Sequence, residues 1–193
     1  MRSLAATAAL IGTFAGRTPT SFNVVPFWRH SIAAAVCARE LATHLDLNPE
    51  QAYIAGLLHD IGRLVLVTQF QPNYEATMAH CSQYDCGLLD AEQAVLGIDH
   101  AAVGLGLTRH WKFPDAVTQA IGAHHASTSL DLQPLSLVVM ASDVIAHALD
   151  LSMDDDDAVP PVPTDLWQQL GLDQQVLLKV LASTEKQFEG ESP

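Results

Sequence analysis

The stretch Gly56-Leu57-Leu58-His59-Asp60-Ile61-Gly62-Arg63-Leu64 sets the tightest condition on what this chain can fold into. A carboxylate inside an apolar run is costly unless a counter-group pairs with it or a metal holds it. His59 and Asp60 stand side by side in such a run, so the fold has to bring partners to them from elsewhere. Candidates occur at four places: His30, His100, the His124-His125 pair and Asp143. Asp143 repeats the problem. Val138 to Ala146 would be a plain core helix without it, and an unpaired core Asp is poorly tolerated.

The 193 residues are 49% hydrophobic and 16% charged, a globular rather than disordered composition, and they read as one domain over residues 1–193. The formal net charge is −13, from 22 acids against 9 bases. A surface built to grip phosphate backbones, or an anionic membrane, needs clustered Lys and Arg. Neither nucleic acid nor a membrane is therefore expected as a partner. Cys37, Cys81 and Cys86 are odd in number and lack a CxxC spacing, which rules out a disulfide framework or zinc ribbon and fits reduced thiols in a cytoplasmic protein. Met1-Arg2 and the Ala/Leu/Ile stretch after it imitate a secretion signal. The apolar part is short, contains Thr7 and Thr13 and lacks a clear A-x-A site, so it reads as an Ala-rich helix. No run approaches the ~18 to 20 apolar residues that a membrane span requires.

Every element reads as helix. Residues 3–15 favour helix, followed by a loop from Gly16 to Ser21. Phe27 to Leu45 carries a buried stripe of Ile32, Ala35, Val36, Leu41 and Leu45. Asn48-Pro49-Glu50-Gln51 is a well-formed helix start, with an Asn cap and Pro in the first position. That helix ends near His59-Asp60, and another is expected from Ile61 to Phe70 despite the β-prone Val65 and Val67. A helix from Pro72 to Tyr84 is closed by Gly87 as its C-cap, and Asp90 caps a short one ending at Gly97. Asp99 caps a helix from His100 to Trp111, and Pro114 opens one reaching His124-His125. Pro134 begins an apolar helix through Leu149, residues 153–163 form an acidic, Pro-rich loop, Thr164 and Asp173 cap two last helices, and 189–193 form a frayed tail. The fold class is all-α, a single multi-helix bundle of about nine or ten short helices.

Divalent metals that serve hydrolysis take imidazole and carboxylate ligands from elements held together by a rigid scaffold. His30, His59, Asp60, His100, His124, His125 and Asp143 fall on successive helices and supply such a set. Each has a plainer reading. A lone His on an apolar helix is commonly a hydrogen-bonded core residue, Asp60 and Asp99 suit helix caps, and Asp143 would be satisfied by one Arg. His44, His80, His110 and His147 are assigned to such core or surface roles. Jointly the plainer readings require too many coincidences, and a shared polar or metal site is expected.

The order His, His-Asp, His, His-His, Asp over an all-helical chain resembles the HD superfamily of metal-dependent phosphohydrolases. The phrases Phe27-Trp28-Arg29-His30-Ser31, Ala55 to Gly62, Glu92 with Leu96 to Gly104, Trp111-Lys112-Phe113-Pro114, Ala123-His124-His125 and Ala141-Ser142-Asp143 resemble its HDOD branch, over roughly residues 3–185. The resemblance implies an HD-type helical bundle in a bacterial signalling protein that acts on a protein partner or as a homo-oligomer, with one or two divalent ions. Fe or Mn suits the mixed ligation, and Zn or Ni is compatible with it. The related HD-GYP phosphodiesterases place Lys where Arg63 stands and Glu where Ala126 stands, and their Gly-Tyr-Pro stretch is missing, so their cyclic dinucleotide substrate does not carry over. If the site does turn over a phosphoester, Asp60 would bridge two ions about 3.5 to 4 Å apart, with Arg63 and Lys112 holding substrate oxygens. HDOD domains usually have a further helical region before the part matched by Arg2 to Phe14, and a surface left open there favours self-association or a partner chain. A third expectation is that the His/Asp set only stitches helices together.

Overall fold

The computed structural model describes residues 18, 19, 22–126, 131–153, 159, 160 and 162–191. Among them are ten helices and no strand: α1 (Val24–His44), α2 (Pro49–Leu58), α3 (Ile61–Gln69), α4 (Gln71–Tyr84), α5 (Leu88–Leu96), α6 (His100–His110), α7 (Asp115–Ala123), α8 (Pro134–Ala148), α9 (Leu166–Leu170) and α10 (Gln174–Glu191). The all-α expectation holds. The expected helix over 3–15 and most of the 153–163 loop lie outside the described residues.

Two helices are buried almost all round and form the axis of the bundle. From Pro26 to Ala38, α1 buries every residue except the partly buried Arg29, and α8 buries Leu135 through Ala146 without interruption. Burying a Val, Leu or Ile side chain stabilises by about 1.5–3 kcal/mol. The seven large apolar residues of α8 thus hold it firmly enough to keep Asp143 inside, where an uncompensated charge would cost several kcal/mol.

Glycines on either side of His59-Asp60 permit the close approaches that form the site. A Cβ on Gly56 would lie 2.8 Å from the Ala34 carbonyl oxygen and 2.9 Å from the Ala35 Cα, so α2 crosses α1 backbone to backbone at its Ala33-Ala34-Ala35 run. A Cβ on Gly62 would lie 2.0 Å from the His100 carbonyl oxygen, which puts the first turn of α3 against the first turn of α6. Larger residues here would push His30 and His100 away from the His-Asp joint.

Four boundaries differ from expectation. Asp85, rather than Gly87, closes α4 in the left-handed conformation at φ 49°, a conformation that Asp tolerates. Gly87 instead precedes α5, and Asp90 lies in its first turn. Asp165 stands at the start of α9 in place of Thr164. The tail expected to fray from Glu189 is helical to Glu191, because that side chain accepts bonds from Arg39 Nη2 at 2.8 Å and Tyr53 Oη at 3.0 Å. These partly buried, charge-assisted contacts tie the end of α10 to α1 and α2.

Candidate metal centre

His59 and Asp60 occupy the two-residue joint between α2 and α3. His59 continues the helical backbone and Asp60 turns it at φ −95°, ψ 8°. Asp60 precedes α3, yet its side chain makes no capping bond there. It turns inward, where its Oδ1 lies 3.2 Å from His100 Nε2, 3.5 Å from His124 Nε2 and 3.6 Å from His59 Nε2. Its Oδ2 accepts from Arg63 Nη1 at 2.9 Å, one turn along α3.

Asp143, from α8, forms the second focus. Its Oδ1 lies 3.0 Å from His30 Nε2, 3.4 Å from His59 Nε2 and 3.3 Å from His147 Nε2. No Arg pairs with it among the described residues; imidazoles do. His30 Nε2 and His59 Nε2 are 3.2 Å apart, and His100 Nε2 and His125 Nε2 are 3.0 Å apart. His30, His59, Asp60, His100, His124 and Asp143 are each no more than 5% exposed. His125 is more open, because α7 ends at Ala123 and the two histidines leave the helix in succession. Both therefore reach the cluster, which mid-helix geometry would have forbidden.

The imidazole tautomers decide what this arrangement can hold. His59 Nδ1 donates to the Gly56 carbonyl at 2.7 Å and His124 Nδ1 to the Ile121 carbonyl at 2.7 Å. His100 Nδ1 donates to Glu92 Oε2 at 2.7 Å, and the same oxygen accepts the His100 backbone N–H at 2.8 Å. With the proton committed to Nδ1, each neutral ring turns an Nε2 lone pair toward a carboxylate oxygen, a repulsive arrangement unless a cation lies between them. His124 Nε2 is buried with no hydrogen-bond partner among the described residues. Orientation of a ligand imidazole through its other nitrogen is the usual support around metal sites. His30 differs: its Nδ1 has no partner, so without a cation its Nε2 proton goes to Asp143.

The titration behaviour gives the same picture of a site short of positive charge. Burial pushes the Asp60 carboxyl up, but His59, Arg63 and His100 outweigh it and hold it well below the carboxylate range. Burial likewise works against Asp143, which His147, His30 and His59 hold well below that range. Burial lowers His100, yet Asp60 and Glu92 raise it to about 9, and Asp60 and Asp143 raise His59 against the same burial effect. Burial dominates elsewhere, lowering His30 and His124, and taking His125 to about 2 with help from His124 and His100. The cluster thus takes up protons where a divalent ion would supply the charge.

The donor set fits two ions that share Asp60. Asp60, His100, His124 and His125 form one tight grouping that would hold one ion, and His30, His59 and Asp60, with Asp143 beside His30 and His59, would hold the other. Every metal-ligating candidate from the sequence falls into this cluster. Arg63, the other catalytic candidate, stands at its rim, with its side chain 25% exposed and its guanidinium 5.8 Å from the Phe27 ring. Lys112 does not join them. It sits beyond the far end of α6, and that end lies roughly 15 Å from His100 along the helix axis. Sequence reasoning missed Glu92 and His147. Glu92 stands eight residues before His100 with Gly97 between them, and only the turn at Gly97 brings it back. His147 lies one helical turn after Asp143, a spacing that would have flagged it.

These features define an all-helical protein with a buried His/Asp cluster where six helices meet. The chain belongs to the HDOD domain family, which it matches over residues 1–127. That stretch stops short of the 3–185 span of the sequence resemblance and before Asp143, so the contribution of α8 rests on geometry. Ribonuclease Y of Desulfotalea psychrophila is 30% identical over 142 residues, or 72% of this chain and 21% of that protein. The chain thus spans about a fifth of the length of the curated relatives it matches. A Shewanella amazonensis protein provisionally assigned as a phosphohydrolase superimposes with a TM-score of 0.76 at 24% identity, over 100% of this chain and 72% of that one. A Marinobacter aquaeolei protein provisionally assigned to signal transduction gives 0.75 at 22%, over 98% of this chain and 42% of that one. At such identities the likeness speaks for the fold alone. No helix among the described residues is long and apolar enough to cross a membrane.

Proposed function

We propose that this chain is a regulatory HDOD module whose His/Asp centre binds one or two divalent ions, and whose helices pass the state of that centre to a protein partner. The partner is a component of a signalling pathway or a second copy of the chain, in the cytoplasm. One observation carries the metal part: His59, His100 and His124 have Nδ1 committed to Gly56, Glu92 and Ile121 and so direct Nε2 toward Asp60 and Asp143. Mixed imidazole and carboxylate ligation suits Fe or Mn, with Zn and Ni compatible. The regulatory part is supported by how the site is built. Its ligands come from α1, the α2–α3 joint, α6, the end of α7, and α8, so gain or loss of an ion bears on the packing of the whole bundle. The guanidinium nearest the centre is already bonded to Asp60.

A second reading, hydrolysis of a phosphoester, is favoured by the open edge at His125 and Arg63. Ions bound there would acidify a bridging water and neutralise the phosphate under attack. Arg63 would keep Asp60 ionised and meet a phosphate oxygen at the rim. With a net charge of −13, a small phosphoester suits the surface better than a polynucleotide.

Metal analysis of the purified protein, combined with turnover of bis(p-nitrophenyl) phosphate, separates the readings. Bound metal without turnover, lost in Asp60→Ala, is the expected result. Metal-dependent hydrolysis abolished by Asp60→Ala would favour the second reading. A folded wild-type protein that takes up no metal would leave the histidines with a structural role only.

A further inference from the structure

His147 stands in the cluster although the sequence phrases give it no role. It follows Asp143 by four residues on α8, and the two side chains share a face. His147 Nε2 lies 3.3 Å from Asp143 Oδ1, and its ring centroid is 4.2 Å from that of His30, with the planes tilted by 36°. One ligand atom from each of His30, Asp143 and His147 lies within 4.8 Å of the others. We infer that His147 is an additional metal ligand at the Asp143 end of the centre, which makes that end the tighter of two unequal ion positions. The inference rests on the metal-binding reading above.

Three imidazole Nε2 atoms, from His30, His147 and His59, surround the single oxygen Asp143 Oδ1 at 3.0, 3.3 and 3.4 Å. His59 Nδ1 is spent on the Gly56 carbonyl, so this set is three Nε2 atoms gathered on one carboxylate oxygen. It is a group of donor atoms facing a common point. A plainer role for His147 is to complement the C-terminal end of α8 and pair with Asp143 at i,i+4. That role does not require the His30 ring beside it. A ligand role requires that convergence. The ends of the centre then differ in supply. His30, His59, Asp143, His147 and the shared Asp60 serve one end, while His100, His124, the more open His125 and Asp60 serve the other.

The test compares wild-type protein with His147→Ala, His147→Gln and, as a surface control, His44→Ala. Each is loaded with Mn²⁺ and dialysed against EDTA, and metal per chain is followed by mass spectrometry. X-ray absorption counts the imidazoles around the retained ion. Wild type and His44→Ala are expected to lose one ion quickly and hold the other. In His147→Ala the held ion should leave about tenfold faster, with fewer imidazoles per metal. His147→Gln keeps a hydrogen bond to Asp143 without an imidazole and should behave like His147→Ala, including when the alanine variant folds poorly. Slow loss and an unchanged imidazole count in His147→Gln would overturn the inference while leaving the metal centre intact. Failure of wild type to bind Mn²⁺, Fe²⁺ or Zn²⁺ would overturn both.

Discussion

Gly62→Ala is the sharpest test of how the centre is assembled, because it adds one methyl group without altering any ligand side chain. The new Cβ would lie 2.0 Å from the His100 carbonyl oxygen and 2.9 Å from both the His100 carbonyl carbon and the Gly104 nitrogen. All three are backbone atoms, so no side chain can swing aside. Relief requires α3 and α6 to separate by roughly an ångström or more. Overpacking of this kind costs about 1–3 kcal/mol, which in a domain of this size lowers Tm by roughly 2–12 °C. Asp60 and His100 lie on opposite sides of this crossing, with Asp60 Oδ1 3.2 Å from His100 Nε2, so the same separation should weaken the ion held by His100, His124 and His125. Gly106→Ala is the control. It lies on α6 beyond His100, a Cβ there meets nothing within 4 Å, and better helix propensity should leave Tm equal or raised. Thermal melts and metal per chain report both effects. If Gly62→Ala melts like wild type and keeps its full metal content, the close α3–α6 approach is not what positions His100.

Two further outcomes follow from the site's chemistry. Glu92→Gln keeps an acceptor for the His100 Nδ1 and backbone N–H but removes the charge from bonds of 2.7 and 2.8 Å. Affinity for the ion on the His100 side should fall about 10- to 100-fold in a chelator competition titration, and unchanged affinity would count against Glu92 as the group that orients His100. The metal-free protein should also lose stability as pH rises from about 6.5 to 9. Its folded form holds a proton on His100 up to about 9, whereas the unfolded chain releases it near 6.5, so the benefit is complete below 6.5 and lost through 9, on the order of 3 kcal/mol at most. Below 6.5 the lowered His30, His124 and His125 act in the opposite sense, because the unfolded chain takes up protons that the folded one refuses. Melts of chelator-treated protein should therefore peak near pH 6.5, and bound metal should remove the alkaline decline. A Tm that climbs from pH 6.5 to 9 without metal contradicts this account.

Much of the fold was legible because its punctuation is local. Asn48 accepts from the Glu50 and Gln51 amides and Asp99 from the Ala102 amide, and each acts within four residues of itself. The misreadings had one local and one long-range cause. Gly87 looked like a C-cap because glycine favours the left-handed region, yet Asp85 took that conformation two residues earlier. The end of α10 looked unsupported because its partners, Arg39 and Tyr53, lie more than a hundred residues away in sequence.

The site divides in the same way. His59, Asp60 and Asp143 announced themselves in sequence as charges among apolar neighbours, since burying a charge is costly wherever it occurs. His147 showed only through its four-residue spacing from Asp143, and Glu92 not at all, as an acid in a short helix is an ordinary residue until its neighbours are known. The sequence alone determined the helices, the need for a shared polar site and the residue types able to build it. Only the tertiary structure decided which nitrogen of each imidazole faces inward and that Lys112 stands at the wrong end of α6. It also revealed that α8 contributes two side chains rather than one. Those outcomes depend on backbone approaches at Gly56 and Gly62 and on hydrogen bonds to Gly56, Ile121 and Glu92, which are set by packing between helices and leave no periodic trace along the chain.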